Sequence, residues 1–224
     1  MLKAGRNIGR INSDKLKKIC YNSLYGDKHS VKVIIMSKKG SKSNRGGDEN
    51  YLFKIDEVRL DEVCDAYFKW KDLNTYIKSQ TSRGINMPDA ISEPLGCAAL
   101  DLYWNKSDGG DAKDEDGRKI EMKATSNFDY DLSSFGPKCE FDDLVFLRFN
   151  LDENKLYVYD TGIDSDELKT LPTTKTNTVG EYQEQGKRPH LSIIEKVIDE
   201  RGLEPDVVFN IRKGVVEQDN RKKE

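Results

Sequence analysis

The sequence predicts an α/β domain in which helices flank a central mixed, partly antiparallel β-sheet. Three observations carry this. Residues 56–80 place Val58, Leu60, Val63, Cys64, Tyr67, Phe68 and Ile77 near helical spacing, as an amphipathic helix requires. The run DLVFLRFN at 143–150 is apolar almost throughout, as in a strand covered on both faces. KLYVYDT at 155–161 follows it across LDEN, and the two runs read as a β-hairpin.

The remaining elements follow in order. SDKLKKICYNSL at 13–24 reads as a short helix capped by Ser13, and VKVIIM, ending at Met36, as a strand. SKKGSKSNRGGDEN at 37–50 is a loop rich in Gly, Ser and Lys, after which YLFKI resumes as a strand. Together these predict a hairpin with a long basic tip. A second helix covers about 89–104: Pro88 suits its start, and Pro94 sits near a first turn or kinks it. Leu95, Ala98, Ala99 and Leu102 form its inward stripe, and Gly96 with the two alanines permits close packing. DEDG at 114–117 reads as a tight turn and RKIEMKAT as the strand behind it. The stretch 164–190 is polar. Ser192 and Glu195 have capping-box spacing for a helix IIEKVIDE that Gly202 closes. VVFNI at 207–211 is a last strand, and the tail RKKE is expected to fray. The chain thus divides into a basic N-terminal region, 1–55, and a core, 56–224.

Composition narrows the function classes. No run approaches the roughly 18 apolar residues of a membrane helix, and the N-terminus is polar and basic. A cytoplasmic globular enzyme is expected. Cys20, Cys64, Cys97 and Cys139 are scattered without a CxxC, so buried free thiols are expected rather than disulfides or zinc. His29 and His190 are the only histidines, which supplies a Ser-His-Asp triad or a His-based metal site poorly. The net charge is −3 but unevenly spread: residues 1–50 hold 12 Lys or Arg against 4 Asp or Glu, leaving 25 against 36 in the rest. A basic end on an acidic body points to an element that meets phosphates, or to a solvated arm. In the phosphate reading Lys38, Lys39, Lys42 and Arg45 supply sequence-independent, salt-sensitive affinity.

The chemistry concentrates in GGDAKDEDGRKIEMKATS, residues 109–126. In a strand, Glu121 and Lys123 share a face. Asp111, on the preceding arm, folds back beside them. Two carboxylates can hold Mg²⁺, which prefers oxygen ligands, and a lysine can orient water and steady charge on a phosphate. The same spacing also fits a solvated hairpin.

The flanking segments ISEPLGCAAL, GGDAKD, EMKATS, SFGPKCEFDDLVFLRF and QGKRPHLSI, over roughly residues 85–195, resemble the small type II restriction endonucleases of the PD-(D/E)XK superfamily that cut GCNGC-type sites. The first motif here is Gly-Gly-Asp rather than Pro-Asp. The resemblance implies a PD-(D/E)XK nuclease core with Asp111, Glu121 and Lys123 catalytic. It adds Glu93, near the N-terminal end of the second helix, as a further carboxylate; the other reading of Glu93 is a helix-dipole cap. Mg²⁺ would be bound by Asp111, Glu121 and the carbonyl of Met122, with Lys123 positioning the attacking water. For DNA contact it points to Lys187, Arg188 and His190, with Gln183 and Gln185 before them. Lys138 is expected near a backbone phosphate, as are Ser126 and Ser134 more weakly. The implied function is Mg²⁺-dependent cleavage of double-stranded DNA at a short palindromic, GCNGC-like site, by a homodimer. Two alternatives are a 5-methylcytosine-dependent endonuclease of the same fold and a DNA-binding protein without catalysis.

Overall fold

The computed structural model describes residues 51–221. The elements run β1 (Leu52–Lys54), α1 (Glu57–Gln80), α2 (Asp89–Leu100), β2 (Tyr103–Asn105), β3 (Ala112–Lys113), β4 (Lys119–Thr125), β5 (Ser133–Ser134), β6 (Asp143–Asn150) and β7 (Lys155–Asp160). They continue with α3 (Ser165–Thr170), α4 (Val179–Glu184), β8 (His190–Leu191), the π-type helix α5 (Ile194–Asp199), β9 (Val207–Asn210) and β10 (Val215–Asp219). Eight strands form one sheet in the order β1-β2-β3-β4-β6-β7-β9-β10, and β5 pairs β8 separately. Within the large sheet β4 and β6 are parallel, and the neighbours on either side are antiparallel. The mixed α/β architecture expected from the sequence is present.

β6 explains why both faces must be covered. Val145, Leu147 and Phe149 enter one core with Tyr67, Trp70 and Leu95 from α1 and α2. Leu144 and Phe146, pointing the other way, enter a second core with Phe135, Ile163, Leu168 and Ile193. Period-two geometry sends alternate side chains to opposite faces, so a strand apolar at nearly every position needs two covers.

α1 starts where the Asp56 carboxylate accepts from the Arg59 N–H at 2.8 Å. Its buried stripe is Val63, Tyr67, Trp70 and Asn74. Val58, expected to face inward, is 70% exposed, because a position five residues before Val63 lies well round the helix from the buried stripe. Lys71 ties α1 to the β6–β7 turn through Asn154 at 2.8 Å. α2 ends at Leu100, not near 104. Asp101 takes a left-handed conformation, φ 62°, and its N–H bonds the Cys97 carbonyl. Tyr103–Asn105 then pairs with β1 and β3, and these long-range partners override the local helical spacing. Gly96 matters here: a Cβ at that position would lie 2.9 Å from Leu147 and 3.0 Å from the Met122 sulfur. The helix therefore rides directly on β4 and β6.

Several local expectations change. The polar stretch 164–190 contains two short helices, with Asp164 capping α3 and a capping box between Thr178 and Glu181 on α4. Ser192 does bond the Glu195 N–H, at 3.1 Å. The main cap of α5 is instead Asp131, whose carboxylate accepts from Ser133 Oγ (2.7 Å), Ser192 Oγ (2.9 Å) and the N–H groups of Ile193 (3.1 Å) and Ile194 (3.0 Å). Gly202 ends this helix at φ 62°. A further strand, β10, follows β9 with a bulge between Val216 and Gln218. Arg221 is held by Asp219 and by the Leu100 carbonyl, so the tail is anchored that far. Cys64, Cys97 and Cys139 are free thiols. No helix among the described residues is long and apolar enough to cross a membrane. The helix at 13–24, the strand ending at Met36, the basic loop with Lys38, Lys39, Lys42 and Arg45, Cys20 and His29 lie outside the described residues. Leu52–Lys54, from the region 1–55, runs as an edge strand of the large sheet.

Asp131→Ala should cost about 2–4 kcal/mol, because it removes a charged acceptor and leaves two buried N–H groups unpaired. Urea denaturation of wild type and variant measures this. A loss under about 0.5 kcal/mol, the level of an ordinary surface substitution, would contradict the role given to Asp131.

Candidate active site

The site forms where the sheet splays. β3 pairs β4 only through Ala112–Ile120 and Lys113–Lys119. One residue earlier, the Asp111 N–H still bonds the Ile120 carbonyl at 2.8 Å, and then the chain turns away. The next β4 donor on that edge is the Met122 N–H, which the Asp111 carboxylate accepts at 2.8 Å. N–H and C=O of one strand residue point to the same edge, so the Met122 carbonyl faces this opening while its side chain packs in the core.

The loop before Asp111 is shaped for this. Gly109 and Gly110 have φ 95° and 90°, a region that residues with a Cβ avoid. A Cβ on Gly110 would also stand 3.1 Å from the Ile120 carbonyl. Buried Asn105 braces the loop from within: its amide donates to the Gly110 carbonyl at 2.8 Å, and its carbonyl accepts from Ser107 Oγ at 2.7 Å. The DEDG turn forms as expected, with the Asp114 carboxylate accepting from the N–H groups of Asp116 and Arg118.

On the face of β4 opposite Met122, Lys123 Nζ stands 2.5 Å from Glu121 Oε1, with both side chains largely buried. The Lys123 ammonium also lies 5.4 Å from the centre of the Phe135 ring. Burial and then the Glu121 charge push the Cys139 thiol up to about 12. Glu93 enters from α2. Its Oε2 accepts from Trp104 Nε1 at 2.8 Å, and the Trp104 ring is itself packed by Lys106 at 4.3 Å and Arg59 at 5.5 Å.

The electrostatics register this convergence. Burial, opposed by the Trp104 hydrogen bond and reinforced by Asp111, Asp89 and Glu121, raises Glu93 to about 7. Burial and the charge of Glu121 raise Asp111 to about 6, against the Met122 hydrogen bond. Burial disfavours the Lys123 ammonium, but the charge and hydrogen bond of Glu121, with Asp111 behind, outweigh it and raise the lysine. An edge of oxygen donors that repel one another is chemically suited to a hard cation. Among the described residues no three His, Cys, Asp or Glu side chains stand in metal-holding geometry. The arrangement therefore offers two carboxylates and a carbonyl, not a closed cage.

Glu93, Asp111, Met122 and Lys123 line a cleft of about 760 Å³; Glu121, paired with Lys123, stands behind them and is not part of the lining. Ser126 and Ser134 also line it, as does Arg188. The other described residues read from sequence as DNA contacts are not among those that line it. Lys187 packs over the Tyr182 ring at 5.5 Å and bonds Gln185 at 2.7 Å. Gln185 also donates to the Glu181 carbonyl. Gln183 is buried, and its amide donates to the Gly136 carbonyl at 2.7 Å, which turns it into the protein. His190 is exposed on β8 opposite Ser134, and Lys138 is exposed on the loop after Phe135. Sequence reasoning missed Lys78 and Arg83, which line the cleft. The clue was their basic charge around the end of α1, at a point where only the tertiary fold shows the direction. Asn105 and Trp104 were missed too, because their partners lie across a loop or on another element.

An α/β domain that gathers three acids and a lysine at an open sheet edge has the build of a hydrolase for a charged substrate. Comparison with known proteins supplies the class. The Bsp6I restriction endonuclease family matches residues 55–200. The chain is 46% identical over 160 residues to the type II restriction enzyme Bsp6I of Bacillus sp. (strain RFL6), which covers 71% of this chain and 92% of that one. The chain belongs to the Bsp6I restriction endonuclease family and is an enzyme, a type II restriction endonuclease. The reading as a DNA-binding protein without catalysis is set aside. The matched span contains Glu93, Asp111, Glu121, Lys123 and Arg188.

A pH dependence follows. Glu93 and Asp111 have folded values above their ordinary 4.5 and 3.8, so the folded state binds the extra protons. Their contribution is favourable at low pH and is lost as pH rises, from about 4.5 to about 7 for Glu93. In metal-free protein Glu93→Gln should therefore raise the melting temperature above pH 7 and flatten its fall with pH. An unchanged pH profile would contradict the electrostatic account.

Proposed function

We propose that this cleft cuts double-stranded DNA at a short palindromic, GCNGC-like site with Mg²⁺, on a core of the PD-(D/E)XK type. The observation that supports it best is the convergence of Asp111, Glu121 and Lys123, with Asp111 bonded to the Met122 N–H and Lys123 to Glu121. Asp111, Glu121 and the Met122 carbonyl would hold the ion, and the donor set suits Mg²⁺, which takes one or two carboxylates and keeps several waters. When bound, Mg²⁺ supplies Lewis-acid activation and offsets charge developing on the phosphate. Lys123 is fixed by its ion pair so that Nζ orients the attacking water and faces the phosphate. Glu93, near 7, can hold or release a proton beside it. A palindromic site implies a two-fold dimer with one cleft per strand. A 5-methylcytosine-dependent variant of the same reaction is distinguished by digesting methylated and unmethylated plasmids side by side. The basic residues Lys38, Lys39, Lys42 and Arg45 supply non-specific affinity in this scheme.

Lys123→Ala should lower turnover by on the order of 10²–10³-fold, the usual cost of one preorganised electrostatic group. Binding measured in Ca²⁺ should stay near wild type. EDTA should abolish cutting, as should Asp111→Ala or Glu121→Ala. Wild-type turnover by Lys123→Ala, or efficient cleavage in EDTA, would sink the assignment.

Arg188, standing in the cleft, is assigned to base reading, and Lys187, engaged with Tyr182 and Gln185, to a weaker phosphate contact. Arg188→Ala should cost about 1–3 kcal/mol on cognate duplex and much less on scrambled duplex. Equal losses on both would reduce Arg188 to a backbone contact.

A further inference from the structure

Tyr130 and Leu132 line the same cleft as the acids, yet they are 66% and 72% exposed. Between them Asp131 is 8% exposed and accepts four hydrogen bonds, two of them from the Ile193 and Ile194 N–H groups at the start of α5. The segment alternates: Tyr130 and Leu132 face out, Asp131 and Ser133 face in. Fixing Asp131 therefore forces its two neighbours toward solvent. The loop is tied on its other flank as well. Thr125 Oγ1 donates to the carbonyls of Asn127 and Tyr130. Arg148 Nε donates to the Phe128 carbonyl at 2.5 Å, with its guanidinium 4.2 Å from the Phe128 ring. An aromatic and a leucine are thus presented rigidly, where burying them would have been favourable.

We propose that Tyr130 and Leu132 form an apolar wedge that enters the base stack of the bound duplex beside the scissile phosphate and helps select the step that is cut. The inference rests on reading this cleft as the catalytic one. Its occupant follows from continuity: a duplex reaching Asp111 and Lys123 fills the cleft these side chains line, and apolar side chains at such a surface unstack base steps. A rigid mount suits this task, since the wedge loses little side-chain freedom on insertion. Tyr130 offers in addition a ring face on which a displaced base can stack.

The test uses the full chain in Ca²⁺ with duplexes carrying the sequence at which the wild-type enzyme cuts, 2-aminopurine being placed at each position in turn. Wild type should raise fluorescence at one position beside the cut. Tyr130→Ala with Leu132→Ala should remove that rise and weaken cognate binding by on the order of tenfold, as expected for losing one stacked base. Binding to scrambled duplex should change less. Both positions are exposed, so thermal melting should be unaltered. If the double variant keeps the fluorescence rise and cuts as wild type while Lys123→Ala is inactive, the wedge alone is overturned. If Lys123→Ala cuts normally, the catalytic cleft lies elsewhere and the wedge is overturned with it. A sedimentation shift from dimer to monomer in the double variant, with the rise retained, would assign the pair to contact between two copies and also overturn the proposal.

Discussion

The Asp111–Met122 hydrogen bond is the contact on which the site depends. Where β3 leaves β4, a strand N–H loses its neighbour, and a carboxylate replaces the missing backbone carbonyl at 2.8 Å. A buried donor left unpaired is costly, so this bond closes the sheet edge and fixes the acid in one act. It also keeps Asp111 close to Glu121, although the two repel. Two glycines with positive φ and the Asn105 brace are what allow the chain to make that departure. The exposed carbonyl edge, the paired lysine and the neighbouring Glu93 then follow from β4 geometry and from the seat of α2 on Gly96.

A second constraint is that charge is gathered at the sheet edge against its own repulsion. Lys123 offsets part of it through Glu121, and Trp104 steadies Glu93. Raised values at Asp111 and Glu93 remain. Stability is set aside at the place where a cation and a phosphate would restore it, which is the usual reason perturbed acids cluster at functional sites. The scaffold carries that penalty through β6, whose alternate side chains anchor two separate cores.

Much of this was legible in the chain. The β6–β7 hairpin, α1, the DEDG turn and the shared face of Glu121 and Lys123 depend on neighbours within a few residues, where periodicity and turn chemistry speak directly. The parts that were not legible depend on distant partners. Tyr103–Asn105 continues a helical pattern on paper, but β1 and β3 draw it into a strand after Asp101 turns left-handed. Ser192 has the right spacing for a cap, yet Asp131, 61 positions earlier, takes most of the role. Gln183 looks like a base-reading amide until its buried bond to Gly136 is seen. Arg188 and Lys187 are adjacent in sequence, and only the fold separates the one that lines the cleft from the one that folds back on Tyr182.

The central proposal is that the acids at this edge, raised by burial and by one another, receive a divalent cation. Calorimetric titration of Ca²⁺ into the DNA-bound enzyme, in buffers of differing ionisation enthalpy, tests it most directly. In that scheme Asp111, which burial and the charge of Glu121 raise to about 6, would give up its proton as the ion binds. The account predicts proton release at neutral pH that increases as pH falls toward 6. Heats independent of the buffer across that range would contradict it.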